Sequence, residues 1–239
     1  MLSENDQKSP LHNMFQSVPE RYDILNKILT LTLDSVWRAH AAAECLKNSP
    51  ARVLDLCCGT GDLAINIARQ SSYNNEITGL DYSQNMLNIA RKKAGRLCDK
   101  KISFICADAA GRTLPDNYFD VIGISFAFRN LTFRNRNCGS YLKEVLRMLK
   151  TNGRFVIIET GQPPAKIIRK IYHFYFKYFV SPVGGFLSGR APAYRYLASS
   201  AVNYFDNDSM AVFLKSRGFR NIECKPYLFG AVNLHTAEK

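Results

Sequence analysis

The run Asp55-Leu56-Cys57-Cys58-Gly59-Thr60-Gly61-Asp62 closes an apolar stretch and opens an amphipathic one. Glycine at Gly59 and Gly61 lets the backbone turn sharply and lets a ligand approach the start of a helix. Gly59-Thr60-Gly61-Asp62-Leu63-Ala64 also fits the dinucleotide fingerprint with alanine in its third place. That spacing alone serves a structural turn as well as a site, so the neighbouring acids decide. Asp55 and Asp62 bracket the loop with negative charge, which repels a pyrophosphate. They suit a ligand with ammonium and sulfonium charges, whose single carboxylate takes the helix N–H groups. Asp81, with Tyr82 beside it, ends the next apolar run 26 residues after Asp55, where a carboxylate can accept both hydroxyls of a ribose. Asp108-Ala109 ends a third run, where an acid can accept an adenine amino group. Acids at three strand ends, in register with a glycine loop, converge on one crevice. The ligand that this constellation expects is S-adenosylmethionine, and the chemistry is methyl transfer.

The elements that must position these groups are legible from periodicity. Residues 11–48 read as helical, with Ala39–Leu46 the strongest run. Strands are predicted at Arg52–Cys57, Glu76–Asp81, Ile102–Ala107, Phe119–Phe126 and Arg154–Thr160, the last following a turn at Thr151-Asn152-Gly153. Helices fall between them at Asp62–Gln70, Ser83–Leu97 with Ser83 as N-cap, and Ser140–Leu149. Strand alternating with helix argues an α/β fold, a doubly wound Rossmann-like parallel sheet. A helix at Ser209–Arg217, closed by Gly218, then precedes two β-like runs, Ile222–Phe229 and Val232–Thr236, close enough to pair as a hairpin. We read one domain over residues 1–239: a helical cap (1–50), a cofactor-binding core (51–160), an aromatic and basic substrate lid (161–205), and the C-terminal helix and hairpin (206–239).

A chain of 239 residues with 46% hydrophobic and 22% charged residues has globular composition, which excludes disorder and collagen-like sequence. No apolar run approaches the roughly 18 residues of a membrane span. The first residues lack the apolar stretch of a signal peptide, so a cytoplasmic location is expected. Seven cysteines without C-x-x-C spacing form neither a disulfide framework nor a zinc site, and reduced thiols are expected. The net charge of +12 is unevenly spread. Between Asp120 and Glu144 lie four Lys/Arg and no acid, and between Glu159 and Asp206 six Lys/Arg and no acid.

Three segments resemble class I methyltransferase motifs: Val53–Asp62, Gly79-Leu-Asp-Tyr-Ser-Gln-Asn-Met-Leu87 and Leu114-Pro-Asp-Asn-Tyr-Phe-Asp120. More specific are Phe15-Gln-Ser-Val-Pro-Glu-Arg-Tyr-Asp23 with Asn26, Ile124-Ser-Phe-Ala-Phe-Arg-Asn-Leu-Thr132, and Ala193-Tyr-Arg-Tyr-Leu197. Together they resemble the ubiquinone/menaquinone biosynthesis C-methyltransferases, from about residue 14 to the end. The resemblance implies a seven-stranded sheet with its last strand antiparallel, and methylation of a ring carbon of a prenylated quinol, foremost demethylmenaquinol. It implies donor contacts at Thr60, Asp81, Asp108, Ala109 and Ser125. The chain departs from the pattern at Cys57-Cys58, where many members carry smaller residues, and at Phe128, where an aliphatic residue is usual and which is expected beside the substrate.

Methyl transfer from a sulfonium needs no metal; it needs a carbon nucleophile held in line with the leaving sulfur. A quinol carbon becomes nucleophilic as a ring hydroxyl ionises, and a phenol-like pKa near 10 must be lowered or met by a base. Arg129 is read as stabilising the developing phenolate and Asn130 as orienting a hydroxyl or water. Arginine stays protonated, so a water, Tyr22 or His235 takes the proton.

Lys166, Lys170, His173 and Lys177 recur at helical spacing in a segment, 160–205, that holds 11 of the 28 aromatic residues. Such a stripe can cover a greasy pocket or touch an anionic membrane surface transiently. Gly184-Gly185 and Gly189 read as a mobile lid. A basic chain with aromatics is also compatible with an RNA methyltransferase, but the Asn/Asp-Pro-Pro-Tyr of many base-amino methyltransferases is missing after the fourth strand. The expected partners are therefore a prenylated quinol and a membrane surface rather than nucleic acid. A methyltransferase of another small aromatic and, more distantly, a non-catalytic cofactor-binding scaffold are the remaining alternatives, and a homodimer is compatible with any of them.

Overall fold

The structure is a computed structural model that describes residues 29–30 and 32–239. Tyr22, Asn26, the Phe15–Asp23 segment and half of the predicted N-terminal helical run lie outside the described residues. Seven strands form one sheet in the order β3-β2-β1-β4-β5-β7-β6. They are β1 (Arg52–Leu56), β2 (Glu76–Asp81), β3 (Ile102–Cys106), β4 (Phe119–Ser125), β5 (Leu149–Thr160), β6 (Arg220–Tyr227) and β7 (Val232–Glu238). Strands β1 to β5 run parallel, and β7 enters antiparallel between β5 and β6. This is the mostly parallel, doubly wound sheet expected from the alternating pattern, with the C-terminal hairpin supplying the reversed strand.

Helix α1 (Leu33–Cys45) and α2 (Asp62–Gln70) bury Trp37, Ala41, Cys45, Leu63 and Ile67 against Val53, Val121, Val156 and Leu234. Helix α3 (Gln84–Leu97) follows β2 and is capped by Ser83, whose Oγ accepts from the Met86 amide, as the sequence predicts. After β4 come the short α4 (Phe128–Thr132) and α5 (Cys138–Met148). A second core cluster joins Tyr141, Leu142 and Val145 of α5 with Leu54, Ile122, Phe155 and Phe219 of the sheet and its edge. Phe128 belongs here. It is buried edge-on to Phe155 with ring centroids 5.7 Å apart, so it packs the core and does not face a substrate as expected.

Past β5 the chain forms α6 (Lys166–Tyr175), a wide π-helical turn (Phe176–Val180), α7 (Ser181–Ser188), α8 (Ala191–Val202) and α9 (Asn207–Ser216). The glycines of α7 correct the lid reading. A Cβ on Gly184 would stand 2.1 Å from the Tyr194 ring, and one on Gly185 3.0 Å from the backbone of Ala191. These glycines let α7 and α8 pack in contact; they do not loosen the chain. Only Gly189, at φ +68, uses the left-handed region, closing α7. The predicted turn at Thr151-Asn152-Gly153 is a bulge inside a longer strand: Phe119 pairs with Leu149, but Val121 pairs with Arg154. Helix α9 starts two residues early because Asp206 caps it, accepting from the Ser209 amide.

His235 lies on β7 opposite Ile157, only 3% exposed, and lines neither cavity described below. This removes it from the candidate proton acceptors. Burial lowers its pKa to about 4, because the imidazolium would be charged away from water. The folded value lies below the ordinary 6.5, so its neutral form contributes fully above pH 6.5 and that contribution is lost as pH falls towards 4. Wild type should lose about 2–3 kcal/mol in this window beyond what the carboxylates cost. Urea midpoints at pH 7 and pH 4.5 for wild type and His235→Leu would show it; equal pH slopes would refute the assignment.

Candidate active site

A polar pocket opens at the carboxyl ends of β1 to β4. β1 contributes Asp55 and the glycine loop after it Gly59 and Thr60; β2 ends in Asp81, followed by Tyr82, and β3 leads to Asp108 and Ala109. Ser125 and Asn130 line its β4 side. Gly61, at φ +81, turns the chain into α2, and a Cβ there would meet Ala90 and the Phe104 ring. It shapes the loop from behind rather than lining the pocket.

Asp81 is buried and holds the loop. One carboxylate oxygen accepts from the Gly59 amide at 2.9 Å and the other from the Ser83 amide at 2.8 Å. A carboxylate offers about four acceptor positions, so capacity for ligand donors remains. Asp108 accepts from the Ala110 amide at 2.9 Å and keeps its place at the pocket wall.

The two acids flanking the glycine loop are not the bare negative charges read from the sequence. Asp62 forms an ion pair with Lys93, whose ammonium also donates to Thr60 Oγ1. Asp55 accepts from the Ala64 amide at 2.9 Å, and burial pushes its pKa up to about 8. The Gly61 amide is likewise taken, by the Cys58 carbonyl at 2.8 Å. Two of the amides at the start of α2 are therefore engaged within the protein.

A second, apolar cavity of about 570 Å³ adjoins the polar pocket, which has about 190 Å³. Leu29, Trp37, Tyr172, Tyr175, Phe176 and Val232 furnish much of its wall. Arg129 opens into this cavity, whereas its neighbour Asn130 faces the polar pocket. One turn of α4 thus sends adjacent residues to two compartments. The Arg129 guanidinium is buried beside Glu159, itself 1% exposed, at 3.6 Å. Nη1 donates to Thr160 Oγ1, Thr160 Oγ1 donates to Glu159 at 2.9 Å, and the Arg129 amide donates to the second Glu159 oxygen at 3.1 Å. Among the described residues the Arg129 Nε finds no partner. Breaking a buried pair from one side costs about 3–5 kcal/mol. Glu159→Gln should therefore lower the melting temperature by roughly 10 °C, given 2–4 °C per kcal/mol at this chain length. An unchanged melt would show that the Arg129 charge is compensated elsewhere.

Two residues that sequence reasoning missed, Arg38 and Phe126, line both cavities. Phe126 adopts a left-handed φ of 54° at the end of β4, and its ring lies 6.1 Å from Trp37 and 5.2 Å from the Arg38 guanidinium. Arg38 donates to Ser125 Oγ at 3.2 Å and pairs with Asp34. No local spacing announces this, since 87 residues separate Arg38 from Ser125.

Among the described residues no group of three or more His, Cys, Asp or Glu could hold a metal ion. The solved structures that the chain resembles include S-adenosylmethionine-dependent methyltransferases from Aquifex aeolicus (TM-score 0.59, 17% identity, 96% of this chain and 97% of that one) and, putatively assigned, from Methanococcus maripaludis (0.58, 20%, 91% and 90%). At that identity they speak for the fold. Sequence relatives are closer. A demethylmenaquinone methyltransferase of Thermotoga maritima is 39% identical over 222 residues, covering 92% of each chain. A ubiquinone/menaquinone biosynthesis C-methyltransferase of Geobacter sulfurreducens is 35% identical over 231 residues, covering 96% of this chain and 88% of that one. The model of the ubiE/COQ5 methyltransferase family matches residues 1–239, and with these relatives it establishes that the chain belongs to that family.

Proposed function

We propose that the protein transfers a methyl group from S-adenosylmethionine to a ring carbon of a prenylated quinol, foremost demethylmenaquinol. The observation that carries this reading is the pairing of compartments: an acid-lined pocket and a larger aromatic cavity that share Arg38 and Phe126 as their common wall. The residues of the polar pocket fit the methyl donor. Gly59 sits at φ +54 where an added Cβ would meet nothing within 4 Å, so the loop leaves open space for a ligand. Asp81 retains acceptor capacity for a ribose, and Asp108 stands one strand further for an adenine amino group. When bound, the donor supplies an electrophilic methyl on a sulfonium.

On the acceptor side the chain does three things. The apolar walls exclude water and take the ring and the start of the prenyl tail, which favours the cavity through burial of apolar surface. Arg129 stabilises a developing phenolate and thereby raises the electron density on the ring carbon. Asn130, reaching the polar pocket from the same turn, orients a hydroxyl or water near the transfer point. Glu159 and Thr160 position the guanidinium and are not themselves in the reaction. Tyr22, the other side chain considered as proton acceptor, lies outside the described residues.

The relatives named as demethylmenaquinone methyltransferases support the naphthoquinol choice. Incubation with labelled S-adenosylmethionine and a panel of demethylated quinols under reducing conditions tests it. Label should enter demethylmenaquinol and spare RNA; labelling of RNA alone would overturn the reading.

The cavity rim supports membrane docking. Among the described residues no helix is long and apolar enough to cross a membrane. Yet Ile171, Leu228 and Phe229 are exposed at the mouth, and Ile167, Phe174, Tyr178 and Phe186 are exposed on the neighbouring helices, with Lys166, Lys170 and Lys177 among them. Leu228 and Phe229 hold left-handed backbones, at φ 45° and 55°, with Phe229 73% exposed. A prenyl tail resides in lipid, so a mouth seated on an anionic surface would admit it. Burying a phenylalanine contributes about 1.5–3 kcal/mol. Changing Phe186 and Phe229 together to serine should cut co-sedimentation with anionic vesicles at least tenfold; unchanged sedimentation would exclude this face.

A further inference from the structure

The polar pocket holds an anomaly for a cationic ligand: a guanidinium. Its lining includes four carboxylates, Asp55, Asp62, Asp81 and Asp108, and among the described residues a single cationic side chain, Arg38. A cation opposing a sulfonium and an ammonium would weaken binding unless it meets the ligand's one anionic group. The sequence reading assigned that group, the α-carboxylate, to the amides at the start of α2. Those amides are a poor receptor here. Gly61 and Ala64 are already engaged, and the Asp55 and Asp62 carboxyl groups lie at the same helix end.

Position agrees with charge. In the sheet order β3-β2-β1-β4, Asp108 follows β3, Asp81 ends β2, Asp55 belongs to β1 and Ser125 ends β4. The pocket therefore spans three strand spacings, about 14 Å, from the acid suited to an adenine to the Ser125 that receives Arg38. A nucleoside seated over Asp108 and Asp81 directs its amino-acid end towards β1 and β4. There Arg38 is near enough to Asp55 for its charge to be felt at that carboxyl. One carboxyl and one guanidinium lining the same pocket match a zwitterion. Arg38 is also held for the purpose: Asp34, buried and accepting from Thr30 Oγ1 at 2.8 Å, pairs with it, and Ser125 accepts from Nε. A planar guanidinium fixed in this way offers a carboxylate a fork of donors that lysine cannot reproduce.

We propose that Arg38 recognises the α-carboxylate of the methyl donor, with Asp55 facing its ammonium, so that discrimination for the intact amino-acid end resides in the N-terminal helix α1. The inference rests on S-adenosylmethionine being the donor.

Titration calorimetry with S-adenosylmethionine and its decarboxylated form tests it, since the two differ only in the carboxylate. The acidic lining would by itself favour the decarboxylated, more cationic ligand. Wild type should nevertheless bind S-adenosylmethionine about tenfold to a hundredfold more tightly, the range expected of hydrogen bonds to a charged group. Arg38→Met should erase that preference without weakening the decarboxylated ligand, and Arg38→Lys should restore part of it. Equal weakening of both ligands in the variants would make Arg38 a shaper of the pocket and overturn the assignment. A preserved preference with lost turnover would move Arg38 to the acceptor side and overturn it too. The wild-type comparison stands even if the Met variant fails to fold: equal affinities refute this inference alone, whereas no binding of either ligand refutes the donor reading with it.

Discussion

Replacing Asp81 by alanine is expected to abolish binding of S-adenosylmethionine at any concentration that calorimetry can reach. Two hydroxyl donors on a buried carboxylate contribute about 1.5–3 kcal/mol each, so losing both weakens binding by at least a hundredfold. The same carboxylate also ties the Gly59 amide at 2.9 Å and the Ser83 amide at 2.8 Å. Alanine therefore slackens the glycine loop and the N-cap of α3 together, adding disorder to the loss of contacts. Asp81→Asn separates the two effects. It keeps an acceptor for one amide but presents an NH₂ where the other must bind, and it removes the charge. A smaller loss, roughly tenfold or more, is expected from it, with the fold intact by circular dichroism. Unchanged affinity in either variant would sink the placement of the ribose at β2.

The strands and helices up to β4 were legible because each is a short, buried run bounded by a turn or a cap, and local pattern suffices for such elements. The same is true of the acids Asp55, Asp81 and Asp108, whose positions at strand ends follow from the run lengths alone. Charge state was not legible. Whether Asp62 is bare depends on Lys93, 31 residues away, and whether Asp55 is ionised depends on its burial. Glycine in α7 was misread for a related reason. Freedom of the backbone and absence of a side chain look identical in a sequence, and only the Tyr194 ring reveals which one Gly184 serves. Arg38 and Glu159 escaped notice because each acts through a contact set by tertiary packing. Glu159 reads as the penultimate residue of an ordinary strand until α4 folds over it, bringing the Arg129 amide to 3.1 Å. The two compartments themselves are invisible to periodicity, since Arg129 and Asn130 are neighbours in the chain and diverge only in space.

Arg129→Met should lower kcat by about 10²–10³-fold, the cost of removing one preorganised donor from a developing oxyanion, while affinity for S-adenosylmethionine stays within twofold or so of wild type. The simple variant carries a confound. Glu159 is 1% exposed, and without the guanidinium it becomes a buried carboxylate lacking its cation. Part of any loss could then be a loosened fold. Pairing Arg129→Met with Glu159→Gln removes both charges, which restores much of the stability that either single change forfeits, because the penalty lies in the uncompensated partner. Turnover should not return with it. The pH profile supplies the decisive readout. If Arg129 lowers the energy of the phenolate, the variant must wait for solvent to ionise a quinol with a phenol-like pKa near 10. Its deficit should therefore shrink as pH rises from 7 to 9, whereas a merely structural defect would keep a constant ratio to wild type. Full activity in Arg129→Met at pH 7, or a pH-independent deficit, would remove the guanidinium from the chemistry and leave the apolar cavity as a binding chamber alone.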